Sequence, residues 1–99
     1  MSAYVIAQIR WDDQEEYKRY IAAFRPLLQR HGGETLAANE DAVTVLEGAW
    51  PLPGAVVMRF PSPDHVKAWM ADPDYPGVVA IRHGAAETNL IMVNGLDWG

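Results

Sequence analysis

The chain opens on an alternation of period two. In residues 3–10, Val5, Ala7 and Ile9 fall on one side, and Tyr4, Ile6, Gln8 and Arg10 on the other, which predicts a strand. The period then lengthens. Tyr17, Tyr20, Ile21, Phe24 and Leu28 recur at helical spacing and form one apolar stripe. Asp12 is expected to cap this helix, with Glu15 bonding back to it from three residues on. Pro26 removes one helical hydrogen bond, so a kink or a split is expected there. His31-Gly32-Gly33 should end the helix, because glycine accepts the left-handed cap conformation.

Residues 34–38 and 43–47 read as one strand interrupted by the turn-like Asn39-Glu40-Asp41, or as two short strands. Residues 48–54 form a loop that holds Trp50, Pro51 and Pro53. In the next strand, residues 55–60, Val56, Met58 and Phe60 alternate with Ala55, Val57 and Arg59. Ser62-Pro63-Asp64 starts a second helix: serine caps, proline takes the first helical position, and aspartate meets the dipole. Its buried stripe is expected to be Val66, Trp69 and Met70, and Asp72-Pro73 should break it. A further helical piece from Tyr75 to His83 would bury Val78, Val79 and the stem of Arg82, with Gly84 closing it. Residues 88–93 form the last strand.

The order is β-α-β-β-α-β. It predicts an α+β, ferredoxin-like sandwich spanning residues 1–99 as one domain. The sheet should be antiparallel, with spatial order 4-1-3-2 and both helices on one face. The other face would carry Tyr4, Ile6, Val57, Ile91 and Val93 beside Gln8, Arg10 and Arg59. That mixture is too apolar to leave wet, so the expected partner is a second copy of the chain, a homodimer joined sheet to sheet.

Charge narrows the remaining choices. A formal net charge of -5 with no Lys/Arg cluster excludes nucleic acid as a natural partner. The same pattern gives no polybasic membrane patch, and no apolar run approaches the roughly 20 residues of a bilayer span. The opening Met1-Ser2-Ala3-Tyr4 lacks the basic region of a signal peptide, and cysteine is absent, so a cytoplasmic location is expected.

Several short motifs stand out together. They are Glu47-Gly48-Ala49-Trp50-Pro51, Arg59-Phe60-Pro61-Ser62, Tyr17-x-x-Tyr20, Gly32-Gly33, Ala68-Trp69, Asp72-Pro73-x-Tyr75 and Arg82-x-Gly84-Ala85. With them the chain resembles, over nearly its whole length, the family catalogued as domain of unknown function 1330 in the dimeric α/β-barrel superfamily. The resemblance implies a two-sheet dimeric barrel with helices outside and a small pocket between each sheet and its helices. It implies no reaction. Relatives in the wider superfamily include cofactor-independent monooxygenases, isomerases, haem-binding enzymes and regulatory ligand-binding domains, and carrying one of those activities over would be analogy of fold.

In this fold three connections share one end of the sheet: residues 10–13, 47–54 and 83–87. Their convergence would gather His83, Arg82 and Glu47 as candidate catalytic groups, with Trp50, Tyr75, Tyr20 and Trp11 as candidate ligand contacts. His83 would act as base, Glu47 would tune its imidazole, and Arg82 and Trp50 would orient a small, mostly apolar organic molecule. The alternative is that Arg82 and His83 only complement a helix C-terminus, and that the aromatic stripe residues are core. His31, His65 and His83 are too scattered for a metal site, and no cofactor motif is present. Ser62 reads as a cap with no base placed for it. Two function classes remain, a cofactor-independent enzyme and a non-catalytic metabolite-binding or scaffold protein.

Overall fold

A computed structural model describes residues 1–39 and 43–96. Seven elements follow one another: β1 (Ala3–Trp11), α1 (Gln14–Arg30), β2 (Glu34–Asn39), β3 (Gly54–Phe60), α2 (Pro63–Ala71), α3 (Tyr75–Ala85) and β4 (Ala86–Asn94). This is the βαββαβ order with its second helix in two pieces. The strands form one antiparallel sheet in the order β2-β3-β1-β4, with β1 at its centre between β3 and β4.

The alternation in β1 explains how the layers form. Ala3, Val5, Ala7 and Ile9 are buried beneath the helices, and Phe60 and Met58 of β3 join them. Trp69 of α2 is the largest fully buried side chain. Aromatic rings then run in sequence along α1: Trp11 to Tyr17, Tyr17 to Tyr20, and Tyr20 to Phe24, each with centroids between 5.3 and 5.4 Å. Phe24 and Phe60 both meet Trp69, at 6.3 and 5.2 Å. Offset and edge-on contacts of this kind stabilise beyond their buried area.

The helix boundaries depart from expectation where local chemistry had two solutions. Asp13, not Asp12, caps α1, because its carboxylate accepts from the Glu16 amide at 3.1 Å. Asp12 instead takes the Arg10 guanidinium, at 3.0 Å. Pro26 lies inside a continuous 17-residue helix, which is neither split nor interrupted. Leu27 and Leu28 just beyond the proline are buried, so core packing holds the turn with one hydrogen bond fewer. Gly32, in the left-handed conformation (φ 75°), ends α1 as expected. Gly84 does not end α3, which continues to Ala85. Met70 is exposed; α2 is short, and only Val66 and Trp69 face the core.

The interrupted β2 resolves into the single strand Glu34–Asn39, with a bulge between Thr35 and Ala37. Residues 43–47 form no strand. The expected turn at Asn39-Glu40-Asp41 falls partly outside the described residues. The second helix does break at Asp72-Pro73. There Asp72 accepts from Arg30 at 2.9 Å, from the Asp74 amide at 2.9 Å, and shares a 2.7 Å hydrogen bond with Nε2 of His31. This clasp ties the end of α1 to the break.

The second sheet face carries no helix. Its polar side chains are already paired along the sheet: Gln8 accepts from Asn89, Arg10 meets Glu87, and Arg59 meets Glu34. Around them Ile91 and Val93 are exposed.

Candidate functional site

Between the sheet and α1 lies a cavity of about 230 Å³. Its floor is the helix-facing set of strand residues, among them Ala7, Ile9 and Val56, and its roof is Tyr17, Tyr20, Ile21 and Phe24 of α1. Trp11 and the guanidinium-bearing side chains of Arg25 and Arg82 complete the lining with Thr35 and Thr88. Helical spacing explains the roof. Tyr17, Ile21 and Arg25 are each four residues apart, and Tyr20 and Phe24 form the parallel row.

Arg82 is the unusual member. It is only 5% exposed, and its terminal nitrogen donates to the Tyr20 hydroxyl at 3.3 Å. The guanidinium carbon lies 5.6 Å from the centre of the Tyr20 ring. Its Nε has no acceptor, and among the described residues no carboxylate pairs with it. Burial pushes the Tyr20 phenol above its ordinary pKa, and the nearby Arg82 charge pulls part of the way back. Tyr20 therefore keeps its proton at neutral pH. Its oxygen accepts from Arg82.

The seven residues singled out from the sequence divide into separate places. Trp11, Tyr20 and Arg82 share the cavity. Tyr75 packs edge-on against Trp69 at 5.1 Å and does not line it. His83, one position along α3 from Arg82, is exposed and points elsewhere. Glu47 and Trp50 line a different groove, with Ile6, Ala55 and Val57 of the opposite sheet face. Trp50 donates to the Gly54 carbonyl at 3.4 Å. The single pocket expected from convergence of the three connections therefore does not form. Two of them do meet, since the amides of Asp12 and Asp13 both donate to the Ala85 carbonyl, at 2.8 and 2.9 Å. The third passes over the other side of the sheet.

The polar cavity residues that the sequence pattern did not single out are Arg25, Thr35 and Thr88. Arg25 was within reach of pattern alone, because it extends the Tyr17–Ile21 row. The threonines alternate onto the helix face, but nothing in their spacing distinguishes a cavity wall from a filled core.

Ser62 departs from expectation in one respect. A base does lie beside it, with Nδ1 of His65 2.6 Å from Oγ. The same oxygen accepts the His65 backbone amide at 3.3 Å, so the pair is built as a helix cap. No helix among the described residues is long and apolar enough to cross a membrane.

Comparison with known proteins agrees with this architecture. A family model described as a domain of unknown function, DUF1330, matches residues 2–96. No curated protein matches the chain. RPA0582, a protein of unknown function from Rhodopseudomonas palustris, superimposes with a TM-score of 0.79 at 19% identity, covering 97% of this chain and 83% of that one. SnoaB, a cofactor-independent oxygenase from Streptomyces nogalater, gives a TM-score of 0.67 at 10% identity, with 97% and 94% covered. A dimeric ferredoxin-like protein of unknown function from Thermobifida fusca gives 0.60 at 19% identity, with 94% and 90% covered. At these identities the solved structures share a fold with this chain and establish no activity for it.

Proposed function

We propose, for a chain that belongs to the DUF1330 family, that the protein binds a small, mostly apolar organic molecule in the cavity between its sheet and its helices. The observation that carries this reading is the lining: aromatic and aliphatic walls around a few convergent polar groups, the usual composition of a ligand site. A cavity of roughly 150 Å³ can hold benzene, so one of about 230 Å³ suits a single ring with a short substituent.

Binding without acid/base chemistry is the version the lining favours. Among the described residues no carboxylate or imidazole lines the cavity, and the Tyr20 phenol, its pKa raised by burial, is a poor base. SnoaB is described as a cofactor-independent oxygenase; none of the described lining residues supplies a base for a reaction of that kind here. A base role for His83 has no geometric support, because its side chain does not line the cavity.

The test is a ligand-observed NMR screen of one-ring compounds, repeated on Ala7→Leu. Ala7 is buried in the cavity floor, and the larger side chain should fill the space. Hits that disappear in a folded Ala7→Leu protein support the reading. Hits that persist place binding elsewhere and end it.

The functional unit in this reading is a homodimer in the cytoplasm. Support comes from the uncovered sheet face, whose polar groups are paired within the sheet and so cost less to bury. Exposed Val45, Leu46 and Trp50 in the β2–β3 connection extend the same apolar face. The Thermobifida fusca protein is described as dimeric.

A further inference from the structure

We infer that the molecule taken up by the cavity is an anion, a small organic carboxylate with a compact apolar body, and that Arg82 is the residue that selects it. This rests on the cavity being a binding site, and it adds the charge and the selecting residue.

The argument starts from the cost of burying charge. A guanidinium withdrawn from water is normally held by a carboxylate or by a full set of acceptors. Arg82 has neither. It is 5% exposed, its one hydrogen bond among the described residues goes to the neutral Tyr20 hydroxyl, and its Nε is without an acceptor there. A helix-terminus role does not account for it, because the side chain bonds to α1 and not to the last carbonyls of α3. The rest of the lining points the same way. Arg25 is a second cation on the wall, and no described lining residue is an acid. Among the described residues the cavity wall thus carries two arginines, buried Arg82 and solvent-exposed Arg25, and no acid.

A carboxylate answers the charge of this wall. It matches the planar fork of a guanidinium, and the Arg82 side chain lines the cavity where such a group would enter. The Tyr20 proton and the hydroxyls of Thr35 and Thr88 are neutral donors on the same walls. The apolar body of the ligand would lie against Ile9, Ile21 and Phe24.

The experiment compares phenylacetate with phenylacetamide, which has nearly the same shape and no charge. Binding is measured by isothermal titration calorimetry to the wild-type protein and to Arg82→Met, Arg82→Lys and Arg25→Gln. Wild type should prefer the acid by roughly ten- to hundred-fold, the range for a charge-assisted hydrogen bond. In Arg82→Met the preference should vanish while the amide still binds. Arg82→Lys should keep part of it, and Arg25→Gln should change it little. Near-UV circular dichroism identifies any variant that has not folded, and the wild-type ratio stands without the variants. Equal binding of acid and amide by wild type overturns the inference and leaves the cavity reading intact. A preference that survives Arg82→Met but is lost in Arg25→Gln overturns the assignment to Arg82. If neither compound binds wild type, and the one-ring screen also finds no hit, the cavity reading fails and this inference with it.

Discussion

At Asp72 one carboxylate serves three donors. The Asp74 amide contributes most, followed by His31 and then Arg30, and together they hold its pKa at about 2, below the ordinary 3.8. The sign follows from linkage. A carboxyl that ionises more readily when folded stabilises the protein above its unfolded pKa, and that stability is lost as pH falls toward the folded value. Urea midpoints of wild type should therefore fall between pH 4 and pH 2, in addition to any general acid effect. Asp72→Asn should be the less stable protein at pH 7, and the gap should close near pH 2; a constant gap across that range would show that the charge is not what matters. The glycines give a second residue-scale contrast. A Cβ on Gly33 would stand 2.4 Å from Leu28 Cδ1 and 2.9 Å from Phe60 Cε2, both on buried side chains, whereas one on Gly84 meets nothing within 4 Å. Gly33→Ala should cost about 1–3 kcal/mol by overpacking. Gly84→Ala should add about 0.5–1 kcal/mol, because glycine in a helix carries an entropic penalty. Denaturant titration of the two variants beside wild type distinguishes the signs.

At the scale of elements, α1 shows how packing overrides propensity. Its proline stands on an exposed position, while Phe24, Leu27 and Leu28 around it are buried, and tertiary contacts supply what the missing hydrogen bond does not. Pro26→Ala restores a donor to the helix interior. It should stabilise the protein by about 1–3 kcal/mol, read as a higher thermal midpoint. An unchanged or lower midpoint would mean that the ring itself is well packed, or that its restriction of the unfolded chain offsets the lost bond. The paired helices α2 and α3 carry the opposite lesson. Their break follows directly from Asp72-Pro73, and beyond it α3 carries Arg82 against Tyr20 of α1 and into the cavity wall.

At the scale of the whole molecule, the uncovered sheet face sets the expected assembly. Ile91 and Val93 are 58% and 43% exposed on it, beside half-buried Tyr4, Ile6 and Val57. Burying such surface is worth roughly 25 cal/mol per Å², a large amount for a chain of 99 residues with a small core. Light scattering behind size exclusion should give twice the 11.0 kDa chain mass at micromolar concentration. Ile91→Glu, which places a charge on this face along edge strand β4, should shift the protein toward monomer and lower its stability. A folded wild-type monomer at that concentration would refute the dimer.

The sequence by itself determined the element order, the antiparallel sheet order, the broken second helix and the side of β1 that faces the helices. Each depends on neighbours within a few residues or on a fixed period, such as Val5-x-Ala7-x-Ile9 or Ser62-Pro63. The family was legible too, from short motifs spread along the chain. Only the tertiary structure decided the candidate site. Topology correctly brought residues 10–13 and 83–87 to one end, but it could not say on which face of the sheet the long β2–β3 connection would lie. That connection carries Glu47 and Trp50 to one face while Arg82 reaches the other. Nor does spacing tell Arg82, which turns inward to Tyr20, from His83, which stays in solvent, since consecutive helical residues differ by about 100° and the direction of the buried side is set by what packs against it.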